Sequence, residues 1–184
     1  MSLWILLLSF AMAHSPHDVA SVLHRAPDGS ILTNDSDLLA LSSDDGRSFQ
    51  YRYWFDGVPS CVFAASNSEW IVGGANSGIW TTVDGGRNFV PSEGPADVHA
   101  CTYSDTHFVV SGSNGTWWSE DGFDWDPIGN ATDWRVASLE LVGSEILFAT
   151  TDEGLGWKID LQDESPVWTS IDGTNLLVIR ASNS

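Results

Sequence analysis

Positive charge is scarce in this chain. It has 25 Asp and Glu residues against 7 Lys and Arg, which gives a formal net charge of −18 at pH 7, and Lys158 is its only lysine. Such a surface repels phosphate backbones, so it argues against nucleic-acid binding through a basic footprint. An acidic, lysine-poor shell keeps a protein soluble and suits an extracellular or salty setting.

Long hydrophobic runs are also missing. The apolar run at residues 3–10, LWILLLSF, is far shorter than the roughly 20 residues of a membrane span, and no later segment could cross a bilayer. The small-residue pattern AMA at 11–13 follows it, as at a signal-peptide cleavage site, although no Lys or Arg precedes the run. We therefore expect a signal peptide at 1–13, in preference to an N-terminal strand, and a secreted or periplasmic protein without a membrane span.

Motifs for cofactors and metals are absent. The sequence has no glycine-rich phosphate loop, no Gly-x-Ser-x-Gly elbow and no histidine spacing typical of a metal site. Cleavage after Ala13 would expose His14, with His17 and Asp18 nearby, as candidate copper or zinc ligands, but a polar leader is the favoured interpretation. We expect no cofactor and no metal.

A repeat takes the place of such motifs. Four similar stretches, at 38–49, 78–89, 115–125 and 154–164, place aspartates in register at 44, 84, 121 and 160. Apolar runs of 4–6 residues rich in Val, Ile, Phe and Trp precede each stretch, and Gly, Asn, Ser and Asp clusters separate them. No window sustains a helical period. Each unit of ~40 residues therefore predicts four short strands.

Four strands per unit are typical of a propeller blade, so the predicted fold class is an all-β propeller of four-stranded antiparallel blades. A two-sheet sandwich is the alternative, but it does not explain the repeat. The predicted propeller domain spans 14–184, with blades at approximately 19–57, 58–97, 98–133 and 134–173. The segment 176–184, LLVIRASNS, aligns with SCVFAASNS at 60–68, so we expect one strand of a fifth blade at 174–184 and an incomplete ring.

The repeated motif resembles the Asp-box, or bacterial neuraminidase repeat, of propellers in sialidases, sortilin-like receptors and photosystem II assembly factors. The first two copies have the form Ser/Thr-x-Asp-x-Gly-x-x-Phe, and the third is one residue shorter. An aspartate in such a turn accepts backbone hydrogen bonds, and glycine supplies the positive φ. We therefore interpret these residues as structural rather than catalytic. The predicted turn residues are Ser42, Asp44, Gly46, Phe49, Thr82, Asp84, Gly86, Phe89, Ser119, Asp121, Gly122 and Trp125.

The resemblance alone does not imply catalysis, because propellers of this type serve unrelated functions. Sialidases require three arginines that clamp a carboxylate, a Tyr/Glu nucleophile pair, an acidic Asp and an Arg-Ile-Pro motif, and this motif is absent. Arg47 and Arg87 fall inside the predicted turns. No residue is assigned as catalytic. We expect a non-enzymatic scaffold for an unknown protein or glycan partner; the alternative is part of a sialidase-like glycoside hydrolase whose catalytic residues lie outside this chain.

One aromatic cluster is not required by the repeat. Tyr51, Tyr53, Trp54 and Phe55 follow the first box, and exposed aromatic side chains can stack on ligands. These four are the candidate binding residues, with packing at a blade edge as the alternative.

The two cysteines, Cys61 and Cys101, are separated by one repeat period. Secretion favours a disulfide. A disulfide requires Cα atoms within about 7 Å, and equivalent positions on neighbouring blades are usually farther apart except near the central channel. We therefore favour two buried thiols over a disulfide.

Overall fold

The computed structural model describes residues 21–74, 76–103, 106–113, 115–129, 136–142, 145–151, 153, 155–163 and 165–171. The predicted signal peptide at 1–13, the histidines that follow it and the predicted strand of a fifth blade at 174–184 lie outside these residues.

The described residues contain sixteen strands and no helix, arranged as four four-stranded antiparallel sheets. The first sheet contains β1 (Leu23–Arg25), β2 (Ile31–Asp35), β3 (Leu38–Ser42) and β4 (Gln50–Trp54), and the second β5 (Pro59–Ala64), β6 (Trp70–Gly74), β7 (Gly78–Thr82) and β8 (Val90–Ser92). The third contains β9 (Val98–Tyr103), β10 (Phe108–Gly112), β11 (Gly115–Ser119) and β12 (Asp126–Ile128). The fourth contains β13 (Val136–Val142), β14 (Ile146–Thr151), β15 (Gly156–Asp160) and β16 (Thr169–Ser170).

Each sheet is a meander in which consecutive strands pair, as expected for a propeller blade. The predicted fold class is therefore confirmed. Every residue of β6 and of β10 is buried, which explains why these strands are continuously apolar instead of alternating. Among the described residues, no helix is long and apolar enough to cross a membrane.

The core consists of layers between consecutive sheets. Leu32 and Leu39 of the first sheet pack with Val62 and Val72 of the second. A second layer, containing Ile71 and Val110, joins the second and third sheets. A third layer joins the third sheet to the fourth. Each inner sheet is thus covered on both faces.

The first strands of consecutive sheets lie side by side. β1 contacts β5, β5 contacts β9, and β9 contacts β13. The chain therefore begins each blade with the strand nearest its neighbours and moves outward along the meander to β4, β8, β12 and β16. In this arrangement, side chains on neighbouring first strands lie close enough to form a covalent bond.

The expectation of two buried thiols is wrong. Cys61 and Cys101 form a disulfide with a Cα–Cα distance of 5.8 Å. They do not hold equivalent places, because Cys61 pairs with Gly73 on β6, whereas Cys101 pairs with Val110 on β10, the counterpart of Val72. A one-residue offset turns a side chain to the opposite face of a strand. The two sulfur atoms therefore point toward each other across the gap between the second and third sheets.

We expect this disulfide to stabilise the fold. It closes a loop of 40 residues in the unfolded chain, so a reductant should lower the free energy of unfolding by about 3–4 kcal/mol. Urea unfolding with and without dithiothreitol measures the change. A double variant with alanine at both cysteines is the control, because reductant should leave it unaffected. An unfolding midpoint of the parent chain that does not respond to reductant would contradict the prediction.

Candidate functional site

The turn at Asp84 is organised by one carboxylate. Its Oδ1 accepts hydrogen bonds from the backbone N–H groups of Arg87 at 2.9 Å and Asn88 at 3.0 Å, and from the Thr82 hydroxyl at 2.8 Å. Its Oδ2 accepts a bond from the Asn88 side chain at 2.7 Å. The Thr82 hydroxyl in turn accepts a bond from the N–H of Gly86. Both oxygens of Asp84 are thus engaged in holding the loop between β7 and β8.

The same arrangement recurs in two other sheets. Asp44 accepts bonds from Ser42 and Ser48, and Asp121 accepts them from Ser119 and from the N–H groups that follow it. The glycines of the three turns all have positive φ, with values of 81° at Gly46, 76° at Gly86 and 81° at Gly122. These aspartates lie in three different turns, so the structure does not bring them together in one site.

The aromatic residue at the end of each of these three turns is buried in the second and third sheets but exposed in the first. Phe89 is buried between the first and second sheets, and Trp125 between the second and third. Phe49 is 45% exposed. The difference follows from position, because no described sheet precedes the first one along the chain.

Hydrogen bonds from the Asn88 side chain, the Asn88 N–H and the Thr82 hydroxyl lower the pKa of Asp84 to about 2. Because this value lies below the ordinary pKa of about 3.9 expected in the unfolded chain, Asp84 stabilises the folded state above that pH. The contribution is lost as the pH falls through about 2.

We therefore expect Asp84→Asn to lower stability at pH 5–7, and the deficit to shrink as the pH approaches 2. Urea unfolding of the two proteins along a pH series measures it. Asp56→Asn, at an exposed aspartate outside the boxes, is the matched control. Equal stability of the parent and Asp84→Asn at pH 7 would show that Asp84 does not hold the turn.

The aromatic cluster after the first box is divided between two faces of the first sheet. Tyr53 and Phe55 pack into the core with Trp80 and Phe89, with ring centroids 4.9–5.9 Å apart. Tyr51 and Trp54 are 51% and 70% exposed. The four candidate binding residues therefore do not form one surface: two belong to the core, and two remain available to a partner.

Tyr51 and Trp54 lie on an apolar surface that we call the first-sheet face. Strand pairing places them on the same side as three aliphatic residues, Leu23, Ile31 and Leu38. Leu23 is 79% exposed. This surface is the side of the first sheet that points away from the second. Sequence reasoning missed Leu23, whose only signal was its place in the apolar segment VASVLH.

Polar side chains hold the aromatic rings of this face in place. The Tyr51 hydroxyl donates a hydrogen bond to Asp35 at 2.8 Å, and the Trp54 indole N–H donates one to Asp37 at 2.6 Å. The bond to Asp35 raises the pKa of Tyr51, because the proton is held between the two groups. Both rings are therefore preorganised while their apolar surfaces remain exposed.

A separate cleft of about 240 Å³ lies on the third sheet. The His107 and Trp118 rings stack along one side, with centroids 4.5 Å apart, and His107 Nε2 lies 3.6 Å from a Glu120 carboxylate oxygen. Glu120, Asp121, Asp124 and Asp126 add negative charge to the lining. A flat aromatic surface beside carboxylates can accept a cation or a sugar. No group of three or more His, Cys, Asp or Glu side chains suited to a metal ion occurs in the described part of the chain.

No protein-family model and no curated protein matches this chain. Solved structures do. The computationally designed Ika4 protein is 10% identical, with a TM-score of 0.65 over 79% of this chain and 92% of its own. The GH74 enzyme of Niastella koreensis is 13% identical, with a TM-score of 0.64 over 82% of this chain and 30% of its own. YCF48 bound to D1 peptide is 18% identical, with a TM-score of 0.57 over 82% of this chain and 51% of its own.

These similarities support the β-propeller fold. At such low identities they do not extend to activity. The chain spans about a third of the enzyme and about half of YCF48.

Proposed function

We propose that this chain is a non-catalytic propeller of the Asp-box type that acts as a secreted or periplasmic scaffold for protein assembly. The observation that carries the proposal is the first-sheet face. Leu23, Tyr51 and Trp54 expose apolar and aromatic side chains on one side of the first sheet, in a protein whose net charge is −18. Exposed aromatic residues of this kind are enriched at protein interfaces.

The chemistry of the face favours a protein over a glycan as the partner. Leu23, Ile31 and Leu38 are aliphatic. Covering them favours binding because it removes apolar surface from water, and they cannot form hydrogen bonds to the hydroxyl groups of a glycan. The hydroxyl of Tyr51 and the indole N–H of Trp54 already donate hydrogen bonds to Asp35 and Asp37. Besides Arg25, which lies on the same side and pairs with Asp45, what the surface offers a partner is mainly apolar area.

Two features support the Asp-box assignment and the secreted location. Three turns share the same hydrogen bonds from a hydroxyl and from following N–H groups to an aspartate. The disulfide between Cys61 and Cys101 forms and persists in oxidising compartments. A signal peptide at 1–13 would deliver the chain to such a compartment.

Site-specific photo-cross-linking tests the proposed docking surface. A photoreactive amino acid at position 54 should give an adduct in cells that express the chain, whereas the same group at Val83, an apolar residue that is 59% exposed on a box turn, should not. The cross-linked protein, once purified, should bind the parent chain and bind Trp54→Glu at least about tenfold more weakly. Adducts of equal yield at both positions, or none at position 54, would contradict the proposal.

A glycoside hydrolase is the second candidate, favoured by the carboxylates of the third-sheet cleft and by the similarity to the fold of a GH74 enzyme. Glycosidases use a pair of carboxyl groups, but Asp121 is committed to its turn. Among the described arginines, Arg25 and Arg52 lie on strands of the first sheet, and Arg47 and Arg87 lie in box turns.

We expect the chain to release no fluorophore from a fluorogenic sialoside, because these arginines do not supply a carboxylate clamp. Initial rates at several enzyme concentrations, compared with a heat-denatured control, measure this. A rate that scales with protein and disappears in Glu120→Gln or in an arginine variant would support the hydrolase instead.

A further inference from the structure

The third-sheet cleft borders a tryptophan that the packing of consecutive sheets leaves exposed. Strand pairing gives Trp118 of β11 the same place as Thr81 of β7. Thr81 is 1% exposed, and its hydroxyl donates a hydrogen bond to the carbonyl of Gly122, in the turn of the third sheet. Trp118 is 36% exposed. The fourth sheet therefore does not cover Trp118 in the way that the third sheet covers Thr81.

The turn after β15 differs from the turn that covers Thr81. A Cβ at position 122 would lie 2.9 Å from Cγ2 of Thr81, so the glycine there allows a close approach to the preceding sheet. In the fourth sheet, Asp160 is followed by Leu161 and Gln162, without a glycine. The exposed tryptophan thus lies at a departure from the repeat, and packing between sheets does not account for its exposure.

Carboxylates without partners line the same cleft. Asp124 and Asp126 are exposed, and their side chains form no hydrogen bond or ion pair within the part of the chain that the structure describes. Glu120, whose side chain is 85% exposed, contacts only the His107 ring, which neutralises it only when the imidazole is protonated. Asp121 is different, because its Oδ1 already binds its own turn. Three carboxylates are therefore available to a positively charged group.

The aromatic wall of the cleft is flat. The rings of His107 and Trp118 stack with an angle of 22° between their planes. His107 Nδ1 also shares a hydrogen bond with the Thr106 hydroxyl at 2.7 Å, which helps to fix the imidazole. Indole attracts a cation more strongly than the other aromatic side chains do. A cation in this cleft would therefore be attracted by the exposed indole and by the carboxylates together.

A guanidinium group suits the cleft better than a metal ion or a whole small molecule. It is planar, so it can stack on an aromatic ring while its N–H groups donate hydrogen bonds to carboxylates. The described residues contain no group of three or more His, Cys, Asp or Glu side chains that could hold a metal ion. At about 240 Å³, the cleft is smaller than the roughly 300–1,000 Å³ of most small-molecule sites. It has the size for one side chain.

We propose that the third-sheet cleft binds an arginine side chain of a partner protein. The guanidinium group stacks on Trp118, and its N–H groups donate to carboxylates among Glu120, Asp124 and Asp126. The net charge of −18 attracts a basic partner before contact, and the cleft then selects the arginine. This site goes beyond the proposed function and does not rest on it, because it lies on a different sheet from the first-sheet face.

A peptide titration followed by NMR tests the site in the full chain. The probe is acetyl-Gly-Arg-Gly-amide, and the reporter is the indole N–H resonance of Trp118, identified as the one that Trp118→Phe lacks. The peptide should shift this resonance in a saturable way, and less so at high salt. The same peptide with citrulline in place of arginine should leave it unmoved, because citrulline has a similar shape without the charge.

Variants measured by calorimetry with the same peptide separate the cleft from the acidic surface as a whole. Trp118→Ala should weaken binding by about tenfold and Glu120→Gln by about threefold or more. Phe49→Ala and Asp56→Asn remove an exposed ring and an exposed charge elsewhere, and should leave binding unchanged. A dispersed amide spectrum verifies the fold of each variant. Glu120→Gln changes only an exposed side chain, so it remains informative if Trp118→Ala fails to fold.

Equal binding of the citrulline peptide, or no saturable shift with the arginine peptide, would overturn the inference. So would arginine binding that both cleft variants leave intact, since this would indicate general attraction to an acidic protein. A shift with a methyl glycoside but not with the arginine peptide would assign the cleft to a sugar instead. Photo-cross-linking at position 54 reports on the first-sheet face alone, so its failure would contradict the proposed function and leave the arginine site standing.

Discussion

The structure depends on apolar side chains projecting from both faces of its sheets. Strands such as β6 and β10 are buried along their whole length, so a sheet built on them is stable only with a neighbour on each side. The second and third sheets have such neighbours within the chain. The cores between sheets and the path of the first strands follow from this requirement, whereas one face of the first sheet has no neighbour among the described residues.

Turns make this layered packing possible at short spacing. In each of three turns, the carboxylate of an aspartate accepts hydrogen bonds from amide groups of the loop, so that the outermost strand can pair with the rest of the sheet. Gly86 shows how tight the result is. It has positive φ, and a Cβ at this position would collide with the ring of Trp70. The glycine is therefore required both by the backbone conformation and by the core beside it.

The repeat made the strands and sheets predictable from sequence, because its period fixes how many strands lie between successive boxes and the loops are short. It did not reveal the direction in which particular side chains point. The spacing of 40 residues suggested equivalent places for Cys61 and Cys101. The strand pairing, which has the same irregularity in both sheets, shows that Ala100 holds the place of Cys61, so Cys101 lies one position further along and the two side chains turn toward each other. Alternation likewise divides Tyr53 from Trp54, a separation that composition alone does not show. Exposure of the first-sheet face depends on which neighbours are present, and no single strand encodes that.

The covalent link between β5 and β9 also determines how the molecule responds to a pulling force. β6, β7 and β8 lie inside the loop closed by Cys61 and Cys101, so tension applied at the two ends of the chain passes through the sulfur atoms and bypasses them. The first and fourth sheets can be extended, while the 40 residues of the loop, worth about 140 Å of fully extended chain, stay hidden until the bond is reduced. The second sheet is in this sense mechanically shielded, and its extensibility is set by the redox state of the surroundings.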